Sequence, residues 1–177
     1  MTVKLQTPRL TVTGPHGIRA RELHRYYQRN ADHFAQGGGD LPARVGLTRA
    51  RLKAQKRLWK QGRGYRFYGF QNGELVLDLG LSNVVRGAFQ AAHLGYRTAQ
   101  THEGQGLMTE ALVSVVGYAF DTLNLHRLMA NYQPWNVASS RVLEKLGFER
   151  EGLAKDYLFI NGQWRDHVLT ALVNTDW

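Results

Sequence analysis

Residues 75–81 alternate with a period of two, Leu75, Leu77, Leu79 and Leu81 falling on one side with Asp78 and Gly80 between them, the pattern of a β-strand. With residues 65–70 this run predicts a hairpin around Gln71-Asn72-Gly73, where Asn-Gly supplies the positive φ that a tight turn needs. A further strand over residues 89–98 runs into Thr101-His102-Glu103-Gly104-Gln105-Gly106. Leu107, Met108, Ala111, Leu112, Val115, Val116, Ala119 and Phe120 then recur at helical spacing, which predicts a helix with one apolar stripe. A strand at 127–131, a helix at 136–146 and strands near 148–153, 157–160 and 167–173 complete the second half. Upstream, a helix is expected over 17–29 and another from Leu47, where Leu47, Ala50, Ala54 and Leu58 share one face and Arg49, Lys53, Lys56 and Lys60 another. Gly37-Gly38-Gly39 lies between these two helices and reads as a flexible connection inside the domain. The order is mixed α/β, with antiparallel hairpins at both ends.

The chain has 177 residues, which suits one domain spanning 1–177 with a core that needs no staple. It holds no cysteine, which removes disulfide frameworks, thiolate zinc sites and cysteine nucleophiles together. The apolar stretch near 112–120 is broken by Ser114 and Gly117, and Met1-Thr2-Val3-Lys4 leads into no apolar run. A soluble, cytoplasmic protein without membrane attachment is expected.

Charge divides the chain in two. Residues 1–66 carry 15 Lys/Arg against 3 Asp/Glu, whereas residues 67–177 carry 8 against 11. Nine basic and no acidic residues lie between Arg44 and Arg66, a density that fits either a solvated basic helix face or an acidic partner such as RNA or a ribosomal surface.

The segment able to carry chemistry is the strand, glycine loop and helix over 94–120. Gly104 and Gly106 let a backbone approach a ligand, and the helix that follows offers unpaired N–H groups to an anion such as a pyrophosphate. A simple tight turn satisfies the same residues. No third glycine stands at the dinucleotide spacing and no Lys-Ser/Thr follows, so the Rossmann and P-loop patterns are incomplete.

The run Gly104-Gln105-Gly106-Leu107-Met108-Thr109-Glu110-Ala111-Leu112, followed by Asn136-Val137-Ala138-Ser139 and Leu143-Glu144-Lys145-Leu146-Gly147-Phe148, resembles the GNAT acetyltransferases. The likeness is closest to their ribosomal-protein N-terminal branch, and within it to enzymes that act on alanine. It extends through Ser82-Asn83-Val84-Val85-Arg86-Gly87-Ala88-Phe89, Leu94-Gly95-Tyr96, His126-Arg127-Leu128-Met129-Ala130-Asn131-Tyr132, Ala154-Lys155-Asp156-Tyr157 and the run Gly162-Gln163-Trp164-Arg165-Asp166-His167-Val168-Leu169-Thr170-Ala171-Leu172. Residues 1–70 match through Thr7-Pro8-Arg9-Leu10 and the placement of helices. The resemblance implies a mostly antiparallel mixed sheet flanked by helices, with an acetyl-CoA cleft where two neighbouring strands splay. It also implies that backbone groups of Tyr96, Arg97 and Thr98 pair with the pantetheine arm, and that amides of Gly104, Gln105, Gly106, Leu107, Met108 and Thr109 hold the diphosphate. Asn136 matches a contact beside the reacting thioester, and equally suits a helix N-cap. Ser139 matches a contact to cofactor or thiolate, against a solvated first-turn serine.

Three positions depart from the family pattern. Its glycine motif usually opens on Gln or Arg and closes on Gly or Ala, where this chain has Glu103 and Met108. Glu103 puts a repulsive charge at a phosphate-binding position. Many members also place a tyrosine acid where Leu143 stands, which leaves Ser139, another tyrosine or water to protonate the departing thiolate.

Acetyl transfer needs a neutral amine. With a pKa of about 7.7–8.0 against about 10.4 for lysine, roughly a tenth of an α-amino group is neutral near pH 7, so a strong base is optional for N-terminal substrates. His93 can serve directly or through water; Glu110 can too, or can simply be a carboxylate favoured at a helix N-terminus. His126 and His167 have no acidic neighbours at metal spacing. Three classes of function are thus expected. They are acetylation of a protein N-terminus, most closely the N-terminal alanine of a ribosomal protein, acetylation of a small amine, and ribosome or RNA binding by an acetyltransferase fold with little activity.

Overall fold

The computed structural model describes residues 3–38 and 41–177. Eight strands form one sheet in the order β1-β2-β3-β4-β5-β6-β8-β7, with β1 Lys4–Gln6, β2 Thr11–Thr13, β3 Tyr65–Gln71, β4 Glu74–Val85, β5 Ala91–Thr98, β6 Arg127–Met129, β7 Glu149–Ile160 and β8 Gln163–Val173. All neighbours are antiparallel except β5 and β6, which run parallel. The helices are α1 Ala20–Arg29, α2 Ala31–Gly37, α3 Val45–Lys60, α4 Leu107–Gly117 and α5 Val137–Lys145.

Local chemistry sets the hairpins. Asn72 and Gly73 have φ of 49° and 79°, and Asn161 and Gly162 have 52° and 77°, the paired positive values of a turn whose twist matches its strands. The central strand β4 is buried from Leu75 to Leu81 because helices cover both its faces. Leu77 and Leu79 join Leu107, Ala111, Leu112 and Val115 of α4 in one core, while Leu23, Tyr26, Tyr27, Phe34 and Leu52 make a second core. Asp78 is buried on that second side, where it accepts from Arg66 Nε at 2.5 Å and from the Tyr27 hydroxyl at 3.0 Å. A buried carboxylate is tolerated only with such partners.

Several expectations are corrected. Leu47 is 49% exposed and Ala50 is exposed too; α3 turns Thr48 and Leu52 inward instead. Thr48 is satisfied by His24 Nδ1 at 3.2 Å, Gln55 accepts from the Tyr68 hydroxyl at 2.6 Å, and Trp59 packs edge-on against Tyr65 and Phe67. Polar residues with partners and one large aromatic therefore outweigh the smaller apolar positions. Arg49, Lys53 and Lys60 are exposed as expected, whereas Lys56, expected on the same face, is half-buried. The strands expected at 148–153 and 157–160 are one strand, β7, whose register shifts between Ala154 and Leu158. The strand expected from residue 167 starts four residues earlier, at Gln163. The first helix starts at Ala20 rather than 17, a short helix α2 follows it, and β1 and β2 were not expected. Gly37 ends α2 and Gly38 is buried against Ile160, while Gly39 lies outside the described residues.

Candidate active site

β5 loses its neighbour halfway. β6 pairs with it only from Ala91 to His93, opposite Arg127 to Met129. Beyond that point the Ala130 N–H donates to the Thr170 C=O at 3.0 Å and Tyr132 pairs with Val168, so the chain follows β8 and diverges from β5. A wedge-shaped gap opens in the sheet, its apex at His93 and Met129.

The backbone alternation decides which groups face this gap. The Ala99 N–H donates to the Val76 C=O at 2.8 Å, and Arg97 stands opposite Asp78 in the same register. Arg97 and Gly95 therefore direct their backbone groups to β4, whereas Tyr96 and Thr98 direct theirs into the gap. Arg97, grouped with them from sequence, is turned away. Its guanidinium donates to the Gly38 C=O at 3.1 Å and lies 5.6 Å from the centre of the Phe34 ring.

The glycine loop stands at the open end of β5. Gly104 and Gly106 adopt φ of 70° and 75°, a conformation cheap only for glycine. Gly106 begins α4 without a side-chain cap, and the first helical bond runs from the Glu110 N–H to the Gly106 C=O at 3.1 Å. The amides of Leu107, Met108 and Thr109 thus precede any intrahelical donor, the arrangement that holds an anion. Leu107 and Met108 point their side chains into the core. The Gln105 side chain donates to the Thr101 C=O at 3.2 Å, leaving its backbone to shape the loop. Glu103 faces away toward α2, where it pairs with His33 Nε2 at 3.1 Å.

α5 starts beside the gap. Asn136 Oδ1 accepts from the Ser139 N–H at 3.0 Å, an N-cap that uses its oxygen and leaves its amide as a donor. The Tyr96 hydroxyl reaches across to the Ser139 C=O at 3.4 Å, and burial pushes this phenol up to about 12. Tyr96, Asn136 and Ser139 are brought together. Leu143 is buried in the core and holds no position from which to act.

His93 and Met129 are on the opposite face, since Leu128 and Ala130 belong to the α4-side core. His93 Nδ1 is buried and has no hydrogen-bond partner among the described residues, and burial lowers its pKa. Further along this face Asn131 Nδ2 donates to the Tyr157 hydroxyl at 3.3 Å, and the Tyr157 ring lies 5.6 Å from that of His167. Asn161 at the β7–β8 turn donates to the Ala35 C=O at 2.8 Å, which bridges the hairpin tip to the end of α2.

Glu110 is unsuited to act as a base. Partial burial raises its pKa, but the Thr7 hydroxyl, the Arg9 amide and the Arg9 guanidinium together bring it below the usual value. Their distances to the carboxylate are 2.6, 2.7 and 2.6 Å. Arg9, which sequence reasoning did not place at the loop, also donates to the Gln105 C=O. Its only signal was the Thr7-Pro8-Arg9-Leu10 run, far from the loop in the chain.

Residues 9–149 match the family model described as an acetyltransferase (GNAT) domain. The chain is 44% identical to the [ribosomal protein uS5]-alanine N-acetyltransferase of Escherichia coli (strain K12), over 99% of this chain and 93% of that protein. Among solved structures, the ribosomal-protein-S5-alanine acetyltransferase of Vibrio fischeri superposes with a TM-score of 0.89 at 32% identity, covering 99% of this chain and 98% of that one. Mycobacterium smegmatis RimJ in complex with CoA-disulfide superposes with a TM-score of 0.85 at 28% identity, covering 97% and 86%.

Proposed function

Because this chain belongs to the GNAT acetyltransferase family, we propose that its acceptor is the α-amino group of an N-terminal alanine on a ribosomal protein, uS5 foremost. As a family member it is an N-acetyltransferase that uses acetyl-CoA and releases CoA. The observation that carries the choice of acceptor is the similarity, over nearly its whole length, to uS5-alanine enzymes.

Acetyl-CoA supplies the acetyl group as a thioester. The gap beyond His93 suits its arm, with the backbone of Tyr96 and Thr98 as hydrogen-bonding partners. The uncapped amides of Gly106 to Thr109 suit its diphosphate. The Asn136 amide and the Ser139 hydroxyl, at the start of α5 beside Tyr96, are the groups to hold the thioester and attend the departing sulfur. The acceptor enters from the opposite face, between β5 and the Asn131–Tyr157 wall, beneath the bridge from Asn161 to Ala35. His93 accepts the proton that the amine loses as its C–N bond forms and the C–S bond breaks. The exposed basic face of α3, with Arg49, Lys53 and Lys60, serves as the docking face for a ribosomal surface.

A survey of protein N-termini in the source cells, with and without the enzyme, tests the acceptor. The expected result is loss of acetyl-alanine from uS5 alone or nearly alone. An unchanged set of N-termini would favour a small amine as acceptor.

A further inference from the structure

We propose that Arg9 is a positioning residue for the diphosphate loop, holding the Gln105 carbonyl and offsetting the Glu110 charge; this rests on residues 104–109 being that loop. Glu110 lies in the first turn of α4, where a free carboxylate would repel a bound diphosphate. Its oxygens are instead engaged by the Thr7 hydroxyl and by the amide and Nε of Arg9. The same guanidinium then turns to the loop. Arg9 Nη1 donates to the Gln105 C=O at 2.9 Å, and Nη2 lies 3.6 Å from where a Cβ on Gly106 would stand.

This two-sided hold has a geometric consequence. A trans peptide is planar, with its C=O and N–H opposed. Fixing the Gln105 carbonyl toward Arg9 aims the Gly106 N–H the other way, with the loop held ready for an anion. The paired Glu110 charge is offset, and the Arg9 side chain remains 46% exposed beside the loop. Glu103, at the position where the family pattern has Gln or Arg, is occupied with His33. Lysine in place of Arg9 would keep the charge but lack the planar fork that reaches Glu110 and Gln105 together.

The test compares acetyl-CoA with acetyl-pantetheine, a thioester without diphosphate, using one alanine-terminated peptide and the variants Arg9→Gln and Arg9→Lys. Arg9→Gln is expected to raise KM for acetyl-CoA about tenfold, the worth of one charge-assisted hydrogen bond, with kcat within about twofold and KM for acetyl-pantetheine unchanged. Arg9→Lys falls between. An unchanged KM for acetyl-CoA, or an equal rise for both thioesters, would overturn the assignment. Calorimetry with CoA alone keeps the question separate from turnover. If the parent transfers no acetyl group, the acetyl-transfer reading fails, while about tenfold weaker CoA binding by Arg9→Gln still supports the Arg9 role and equal binding still overturns it.

Discussion

His93 and Met129 are the last residues paired between β5 and β6, and the sheet parts immediately beyond them. The imidazole thus stands at the apex of the gap with Nδ1 buried and unpartnered among the described residues, and burial holds its pKa below the ordinary histidine value. Burial thus favours the neutral ring, the form able to take a proton.

A pH profile of kcat/KM follows from this. The parent should lose rate with a slope of one below the amine's pKa of about 7.7–8.0, steepening to two as pH falls through the lowered His93 value. In His93→Gln the slope should fall to one and the rate at pH 8 should drop about a hundredfold. An identical profile would remove His93 from the proton path. Stability follows the same sign: the unfolded chain takes up this proton first, so the contribution of the neutral ring is present above the ordinary histidine range and lost as pH falls through the lowered value. Urea titrations of parent and His93→Gln at pH 5 and 7 check it, and a parent no less stable relative to His93→Gln at pH 5 would contradict it.

Asn136 has separable duties. Asn136→Ala removes the acceptor for the Ser139 N–H and should cost about 0.5–2 kcal/mol of stability. Asn136→Asp keeps the cap and loses the amide donor, so it should melt like the parent yet turn over at least about tenfold more slowly. Full activity in the folded Asp variant would leave Asn136 with the cap alone.

Gly106→Asp places a side chain at φ of 75° and a carboxylate beside the uncapped amides of α4. CoA binding by calorimetry should weaken at least about tenfold. Undiminished binding by a folded variant would locate the diphosphate elsewhere.

Spacing along the chain shows local features only; the mixed sheet and its splayed strands were legible through the family resemblance. Asn72-Gly73, the stripe from Leu107 to Phe120 and the Gly104–Gly106 loop announce themselves through short-range spacing, and each stands where expected, although the stripe's last turn, from Tyr118, is π-helical. The gap itself is invisible in any window, because it arises where Ala130 and Tyr132 choose β8 over β5. The Arg9–Glu110 contact joins residues 101 positions apart. On α3, Leu47 lost the interior to Thr48 because the hydroxyl finds His24, a partner from another helix that periodicity cannot anticipate. The resemblance grouped Arg97 with Tyr96 and Thr98 as one segment, although alternate residues of a strand face opposite edges.

The basic face of α3 can be tested apart from catalysis. Reversing Arg49, Lys53, Lys56 and Lys60 to Glu should weaken co-sedimentation with ribosomal particles and flatten its salt dependence, since fewer counterions are released on contact. Turnover of a short neutral peptide should stay within about threefold, because Arg49, Lys53 and Lys60 are exposed on α3 and only long-range fields reach the gap. Undiminished sedimentation would rule out this face as the contact.

Acetyl transfer to an alanine α-amine is tested most directly with purified protein, acetyl-CoA and a peptide bearing the N-terminal sequence of uS5, with the product mapped by tandem mass spectrometry. One acetyl group on the alanine nitrogen, and none on the same peptide with a blocked N-terminus, is the expected result. Acetylation confined to lysine side chains, or no transfer while a small amine is acetylated, would contradict it.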